Sequence, residues 1–324
     1  MKSNAPMPAG RCPQSALPPE VREEIRADRV VFDACLDHLR ARAAGPAEGV
    51  YGPASVTWLV FREAAVSLGG LRAIALQIAH PAVAHGVSRS SRFADDLLGR
   101  ARRTFSSMNQ LIFGDLESAI AGARRIHNLH DRVRGTREAG EGYRANDPRL
   151  LLWVLATLFD TSLRVYGALV RPLTLEEQRR FYDEASLSGA LFGIPPASMP
   201  PSLEAFHAYY DAMLAGDELR AGDDARCLAR TLFSSLYSGG RLGAAITAGL
   251  LPPRWRDAFG LPWRRREQLA HAAAMAALRG VLARTPPALR FVPAYHQAHR
   301  RIASAHAAGE NRKGARTQGD EMEK

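Results

Sequence analysis

The chain has 324 residues, 46% of them hydrophobic and 23% charged, which excludes a wholly disordered polypeptide and allows a sizeable core. Its three cysteines, Cys12, Cys35 and Cys227, are too few and too far apart for a disulfide framework or a cysteine metal knuckle. The net charge of +10 comes from arginines scattered along the chain, with only three lysines among 43 basic residues, and without a basic block this pattern argues against nucleic-acid binding.

Helical periodicity dominates the chain and predicts an all-α fold made of a single large helical bundle. The proline-rich residues 1–17 are expected to be disordered. Pro18-Pro19 then opens a helix to about Ala44, since proline is tolerated in the first turn. Pro81 forces a break after His80. The helices predicted in this half of the chain are 18–44, 55–68, 70–80, 93–113 and 115–134.

A long apolar segment follows a glycine-rich loop predicted at 135–147. Asp147-Pro148 marks its start, because an N-cap residue precedes a proline in the first helical position. The stretch from Leu150 to Val170 is long enough to span a bilayer. It carries Asp160 and Arg164 four residues apart, and charges within a lipid-facing span are costly, so we expect a buried core helix with an internal ion pair.

The second half of the chain continues the helical pattern and ends in a polar tail at 308–324, which is expected to be disordered. Residues 18–307 therefore form one all-helical domain in this interpretation. No secretory signal is recognisable, and we expect a cytoplasmic protein with no transmembrane segment. The remaining predicted helices are 174–191, 202–215, 224–238, 253–259, 263–283 and 293–307.

The predicted helix 115–134 places two histidines and an arginine on its apolar stripe. On a helical wheel, His127, His130 and Arg134 share an arc with Leu116, Ile120 and Ala123. An arginine buried without a partner is costly, so an anionic group is expected to meet Arg134. Two interpretations remain open: a buried Asp or Glu beside hydrogen-bonded histidines, or a cofactor that carries carboxylates and a metal.

The preceding predicted helix also directs arginine towards its apolar side. Arg100 falls on the stripe, Thr104 lies beside it and Arg103 lies at its edge. Haem b would satisfy both helices, because its iron takes a histidine and its propionates take arginines.

Five segments carry a resemblance to a known family: LRAIALQIAHPAVAHGV (71–87), RARRT (100–104), HDRVRG (130–135), YRANDP (143–148) and YDEASLSGALFGIPPASMP (182–200). In order and spacing they resemble the MpaB/rubber-oxygenase catalytic-domain family over about residues 50–300. The resemblance implies an all-α bundle with a globin-like core that holds haem b without a covalent bond.

The resemblance also implies roles for individual residues. His130 and Arg134 match the family's proximal iron ligand and the arginine four residues after it. Arg100, Arg103 and Thr104 match a distal Arg-x-x-Lys-Thr segment whose lysine ligates iron in a closed state. Arg103 replaces that lysine, and a guanidinium remains protonated and cannot donate a lone pair to iron. His127 and His80 are further candidates for contact with the cofactor.

Some positions depart from the family pattern or favour other chemistry. Ser90-Ser91 and Leu155 stand where the family often has histidines, which weakens any interpretation that needs a second metal or a proton relay. His85 follows His80 by five residues, a poor spacing for one metal on a helix. Glu204-x-x-His207 has the form of half a di-iron site, but no convincing second copy occurs.

The sequence therefore predicts a haem b-dependent oxidoreductase, an oxygenase that acts with dioxygen on an apolar or lipid-like small molecule. Two rivals remain open. One is a non-enzymatic haem-binding or ligand-binding protein on the same fold, and the other is a basic all-α regulator that binds DNA.

Overall fold

The computed structural model describes residues 17–89, 97–136, 140, 142–238 and 241–322, and the side chains of 97–102, 234–238, 241–242 and 309–322 lie outside the description. The disordered segment predicted at 1–17 thus falls almost wholly outside the described residues. Those that are described form an all-α fold, as predicted, with one small antiparallel hairpin.

The elements follow each other in chain order with short connections. The first half contains α1 (Pro19–Arg42), α2 (Val56–Phe61), a 3-10 helix (Ala64–Gly69), α3 (Gly70–Ile78), α4 (Pro81–Arg89), α5 (Leu97–Phe113), α6 (Leu116–His130), β1 (Arg134–Thr136) and β2 (Gly142–Arg144). The second half contains α7 (Pro148–Leu169), α8 (Leu175–Phe192), α9 (Leu203–Ala215), α10 (Asp223–Ser238), α11 (Arg241–Leu250), α12 (Pro253–Ala258), α13 (Arg265–Arg284), α14 (Pro287–Arg290) and α15 (Pro293–Met322).

Helix α8 contributes to two apolar clusters and so connects the two parts of the core. Phe181 and Tyr182, near its start, pack with residues of α3, α7, α9 and α10. Ala190 and Leu191, near its end, pack with residues of α1, α2, α5 and α6. A capping box fixes where α8 begins, because Thr174 and Glu177 satisfy each other's backbone N–H groups.

Helix α7 corresponds to the long apolar segment of the sequence analysis, and it begins at Pro148 as predicted. Asp147 accepts a hydrogen bond from the backbone N–H of Arg149 at 2.9 Å, and Pro148 is the first helical residue. The helix is long and apolar enough to cross a membrane, but 67% of its most apolar window is buried inside the fold. The predicted pair also forms, with Arg164 Nε donating to Asp160 Oδ2 at 2.9 Å.

Helix α6 ends at His130 and not at residue 134, so the prediction for its C-terminal turn was wrong. The chain turns after His130, and Arg134–Thr136 pairs in antiparallel register with Gly142–Arg144. This hairpin occupies the predicted loop 135–147. Gly135 has a local reason to be glycine, since a Cβ there would lie 3.1 Å from the ring and hydroxyl of Tyr143.

Two further differences concern the second half of the chain. Helix α11 was not predicted, because its glycines and threonine favour helix weakly; it is held by packing, with Ile246 against Ala274 and Met275 of α13. Helix α15 continues to Met322 through the predicted disordered tail, a stretch that contains good helix formers such as alanine, glutamate and arginine. Residues 303–308 are all exposed, so the packed core ends at Ile302.

Candidate functional site

His127 lies in the last turn of α6, where that helix packs against α1 and α8. Its side chain is only 5% exposed, and its ring is stacked on Phe32 of α1, with centroids 4.1 Å apart and planes 3° apart. Its Nδ1 atom is buried and has no hydrogen-bond partner. A Cβ at Gly193 would lie 3.7 Å from that atom, in ordinary contact, so the residue after α8 borders the ring.

A buried polar group surrounds the other side of the His127 ring. Asn146 Nδ2 donates to the His127 carbonyl oxygen at 3.2 Å and to Asp131 Oδ1 at 3.0 Å. Asp131 Oδ1 lies 3.9 Å from His127 Nε2, and Asp131 Oδ2 accepts from Arg29 at 2.8 Å. The Asn146 side chain also forms a hydrogen bond with the His130 ring. Buried polar atoms without partners are rare, so His127 Nδ1 is the atom of this group that marks a candidate site.

His130 is half-buried at the last position of α6. Burial lowers the pKa of its imidazole, and the neighbouring His127 lowers that pKa further, against the opposing effects of Asn146 and Asp131. Burial likewise lowers the pKa of His127, an effect that Asp131 opposes. Both rings are therefore neutral near pH 7 and keep a lone pair that can bind a metal.

Arg134 has a carboxylate partner supplied by α1. Its Nη1 atom donates to Glu24 Oε2 at 2.9 Å and its Nε atom donates to the Asp131 carbonyl oxygen at 3.1 Å. A protein carboxylate therefore meets this arginine, but Glu24 is exposed, whereas the first sequence interpretation expected a buried one. The predicted place of Arg134 on the α6 stripe was wrong, because the residue belongs to β1.

The described turn of α5 faces solvent and not the core. Residues 103–106 are all exposed, including Arg103, Thr104 and the large side chain of Phe105. The expectation that Thr104 lies inward was wrong, because α5 packs through Leu111, Ile112 and Phe113 at its other end. The side chain of Arg100 lies outside the described residues.

His80 and His85 each have a carboxylate neighbour from the region before and within α10. His80 Nε2 lies 3.4 Å from Glu218 Oε1, and His80 Nδ1 accepts from the backbone N–H of Ala82 at 3.2 Å. His85 Nδ1 lies 3.0 Å from Asp224 Oδ2. These contacts connect α4 to α10 and favour a packing role for both histidines.

Nothing in the described structure supports a di-iron site. The Glu204 carboxylate accepts from Arg179 at 2.9 Å, and His207 on the same helix is exposed. Among the described residues, no group of three or more histidine, cysteine, aspartate or glutamate side chains is arranged to hold a metal ion.

An apolar cavity of about 30 Å³ lies between α2, α5, α7 and α8, and sequence reasoning missed it. Its wall is mostly aromatic and aliphatic, and Leu155, at a position where a histidine was expected, is part of it. Its polar lining includes Tyr51 and Ser188, whose hydroxyl oxygens lie 2.6 Å apart. The remaining lining residues include Phe61, Met108, Leu111, Phe159, Phe181 and Phe192.

Comparison with known proteins gives a family match across the site. A family model described as "ER-bound oxygenase mpaB/B'/Rubber oxygenase, catalytic domain" matches residues 58–280. Two uncharacterized proteins, one of Mycobacterium bovis and one of Mycobacterium tuberculosis, are each 26% identical over 204 residues, which is 60% of this chain and 80% of theirs. No solved structure matches the chain. The matched segment runs from α2 into α13 and includes both histidines of α6.

Proposed function

This chain belongs to the MpaB/rubber-oxygenase catalytic-domain family, and on that premise we propose that it is an oxygenase-type oxidoreductase that carries haem b. The observation that supports this proposal is the pair of histidines at the end of α6. Both have pKa values lowered by burial, and one has a buried ring nitrogen without a partner.

The donor chemistry at the end of α6 suits haem b, which the His130 imidazole would hold through its iron. Haem b would supply an iron centre that binds and activates dioxygen. A neutral imidazole is the required ligand form, and His130 is neutral at working pH. The cavity of about 30 Å³ is far smaller than typical cofactor sites of roughly 300–1,000 Å³, so the fit rests on the histidines and their neighbours.

The neighbouring residues position His130 in this proposal. Phe32 and Asn146 fix His127, which lies one turn earlier on the same helix. Arg134 and Glu24 hold α1 against the hairpin that follows His130, so Arg134 acts on the ligand through the backbone and not on the cofactor directly. Arg103 and Thr104 have no role in this proposal, because their side chains face solvent on α5, and His80 packs against Glu218.

We propose an apolar, lipid-like small molecule as the substrate, because the cavity wall is apolar. The volume of about 30 Å³ admits no more than one small group such as a methyl, whose transfer from water to that wall is favourable at about 25 cal/mol per Å². Leu155 contributes an apolar side chain to that wall at a position where the family often has a histidine. We further propose that the protein acts in the cytoplasm and does not bind nucleic acid.

The proposal is tested by expressing the protein with a haem supply and recording its visible spectrum. We expect a Soret band that is lost in His130→Ala and retained in the matched control His207→Ala, whose histidine is exposed on α9. Circular dichroism verifies that both variants fold. Full haem retention by His130→Ala overturns the ligand assignment and directs attention to His127, His80 or His85. A red protein that consumes no oxygen with any apolar substrate would instead be a haem-binding protein.

A further inference from the structure

A second cleft lies on the opposite side of α2 from the apolar cavity, and the two share no lining residue. This cleft has a volume of about 190 Å³ and is partly open to solvent. We call it the Arg62 cleft; its walls include Val56, Leu59, Arg62, Glu177, Arg180 and Tyr295. It lies between α2, the first turns of α8 and the start of α15.

Arg62 brings to this cleft a positive charge that pairs with no carboxylate among the described residues. Its guanidinium carbon lies 4.5 Å from the centre of the Phe291 ring and 5.8 Å from that of Tyr295, so aromatic rings hold it in place. Its Nε atom is buried without an acceptor, and its side chain forms no ion pair within the described part of the chain. The Nε atom itself is enclosed, so an anion that enters the cleft would contact the remaining N–H groups of the guanidinium.

The other charges at the Arg62 cleft leave it positive. Glu177 is the one carboxylate on its described wall, and Arg171 neutralises it through two hydrogen bonds of 2.7 and 2.6 Å. Arg180 is exposed and donates one hydrogen bond, to the Ala54 carbonyl oxygen at 3.2 Å. Two guanidinium groups therefore line one cleft, and N–H donors of this kind suit a carboxylate or a phosphate ester.

The size and the apolar wall of the cleft specify the rest of the ligand. A dry cavity of about 150 Å³ accommodates benzene, so about 190 Å³ accepts a ring with one anionic group. Val56 and Leu59 supply apolar surface for that ring. We propose that the Arg62 cleft binds a small organic anion, with its oxyanion held by Arg62 and Arg180 and its apolar body against α2.

The test measures binding to the full-length protein by titration calorimetry, with benzoate, phenyl phosphate and the neutral benzyl alcohol as probes. We expect the two anions to bind and benzyl alcohol to bind at least tenfold more weakly, because a charge-assisted contact is lost. Whichever anion binds with the lower dissociation constant identifies the headgroup as a carboxylate or as a phosphate ester. We expect Arg62→Gln and Arg180→Gln each to weaken anion binding by about tenfold.

Arg179→Gln is the matched control, since Arg179 neighbours Arg180 on α8 but pairs with Glu204. We expect it to bind both anions as the unmodified protein does. Equal binding of benzoate and benzyl alcohol, or equal binding by all three variants, overturns the proposal. The proposal is also overturned if neither anion gives a measurable heat of binding at millimolar concentration. The measurement needs no haem, so its outcome is independent of the proposed oxygenase activity.

Discussion

The imidazole of His127 lies flat on the phenyl ring of Phe32, with ring centroids 4.1 Å apart and ring planes 3° apart. This stack joins α1 to the end of α6, one turn before His130. Gly193, after α8, borders both rings, because a Cβ there would lie 3.1 Å from Phe32 and 3.7 Å from His127 Nδ1. Three distant segments therefore set the position of one histidine.

Replacing Gly193 with alanine should destabilise the protein. Gly193 has a φ of 82°, in the left-handed region, where a side chain costs roughly 1–2 kcal/mol, and the new Cβ would press on Phe32. We expect urea unfolding to give a free energy of unfolding lower by about 2 kcal/mol. Gly70→Ala is the control, since Gly70 is helical with no atom within 4 Å of its added Cβ. Equal losses in the two variants would contradict this account.

Removing the Asp160 carboxylate should cost much more than removing its exposed partner. Asp160 accepts from Arg72, whose side chain is 0% exposed, at 2.6 Å, and it also pairs with Arg164. Asp160→Ala leaves a buried guanidinium without its counter-charge, and we expect a loss of about 3 kcal/mol in unfolding free energy. Arg164→Ala, the control, should lose less than about 1 kcal/mol. Similar losses of unfolding free energy in the two variants would show that hydrogen bonds to Thr161 and the Leu250 carbonyl oxygen are enough to stabilise the buried Arg72.

Glu177 should make the protein less stable in acid. Hydrogen bonds from Arg171 and from the Thr174 backbone lower the pKa of its carboxyl from 4.5 to about 2. The unfolded chain therefore binds a proton at higher pH, so this stabilisation is present above pH 4.5 and is lost as the pH falls towards 2. After allowance for solvent screening we expect an effect on the order of 1 kcal/mol.

This effect is measured by urea unfolding at pH 5 and pH 3. Glu177→Gln should show less loss of stability between the two pH values than the unmodified protein. Glu176→Gln, at the exposed neighbouring position in the first turn of α8, serves as the control. An unchanged pH dependence in Glu177→Gln would show that the capping box does not retain this pair in solution.

In the arrangement that the family resemblance implies, Arg103 decides the resting state of the proposed haem, although the structure places its side chain in solvent. A guanidinium cannot ligate iron, so we expect a ferrous protein that is five-coordinate, or capped by water or histidine, and that takes up carbon monoxide. Arg103→Lys should shift the spectrum towards six-coordination. Arg103→Ala should keep haem and lower oxygen-dependent turnover by about tenfold or more. Identical spectra and turnover in all three proteins would agree with its exposed position and place it outside the pocket.

Cell fractionation tests the location of the protein. We expect recovery in the soluble fraction, because the one helix of sufficient length and apolarity in the described chain is mostly buried inside the fold. Recovery only after detergent extraction would show that α7 is a membrane-spanning helix and not a core helix.

Much of the helical architecture followed from local sequence signals. Asp147-Pro148 marks the start of α7, because capping is decided by a few consecutive residues, and α8 begins one residue after the predicted 174. Asp160 and Arg164 pair as predicted, because residues four apart on a helix are neighbours. Helix α11 was missed, because packing against α13, and not propensity, stabilises it.

The surroundings of the candidate site depended on contacts between distant segments. The sequence indicated that His127 and His130 lie near each other and that Arg134 needs an anion, but not that Glu24 supplies it from α1. The stripe on α5 predicted an inward Thr104, which the structure exposes, since periodicity shows which residues share a face but not whether another element covers it. The Phe32–His127 stack and the Arg62 cleft join residues far apart in the chain, so only the tertiary fold brings them together.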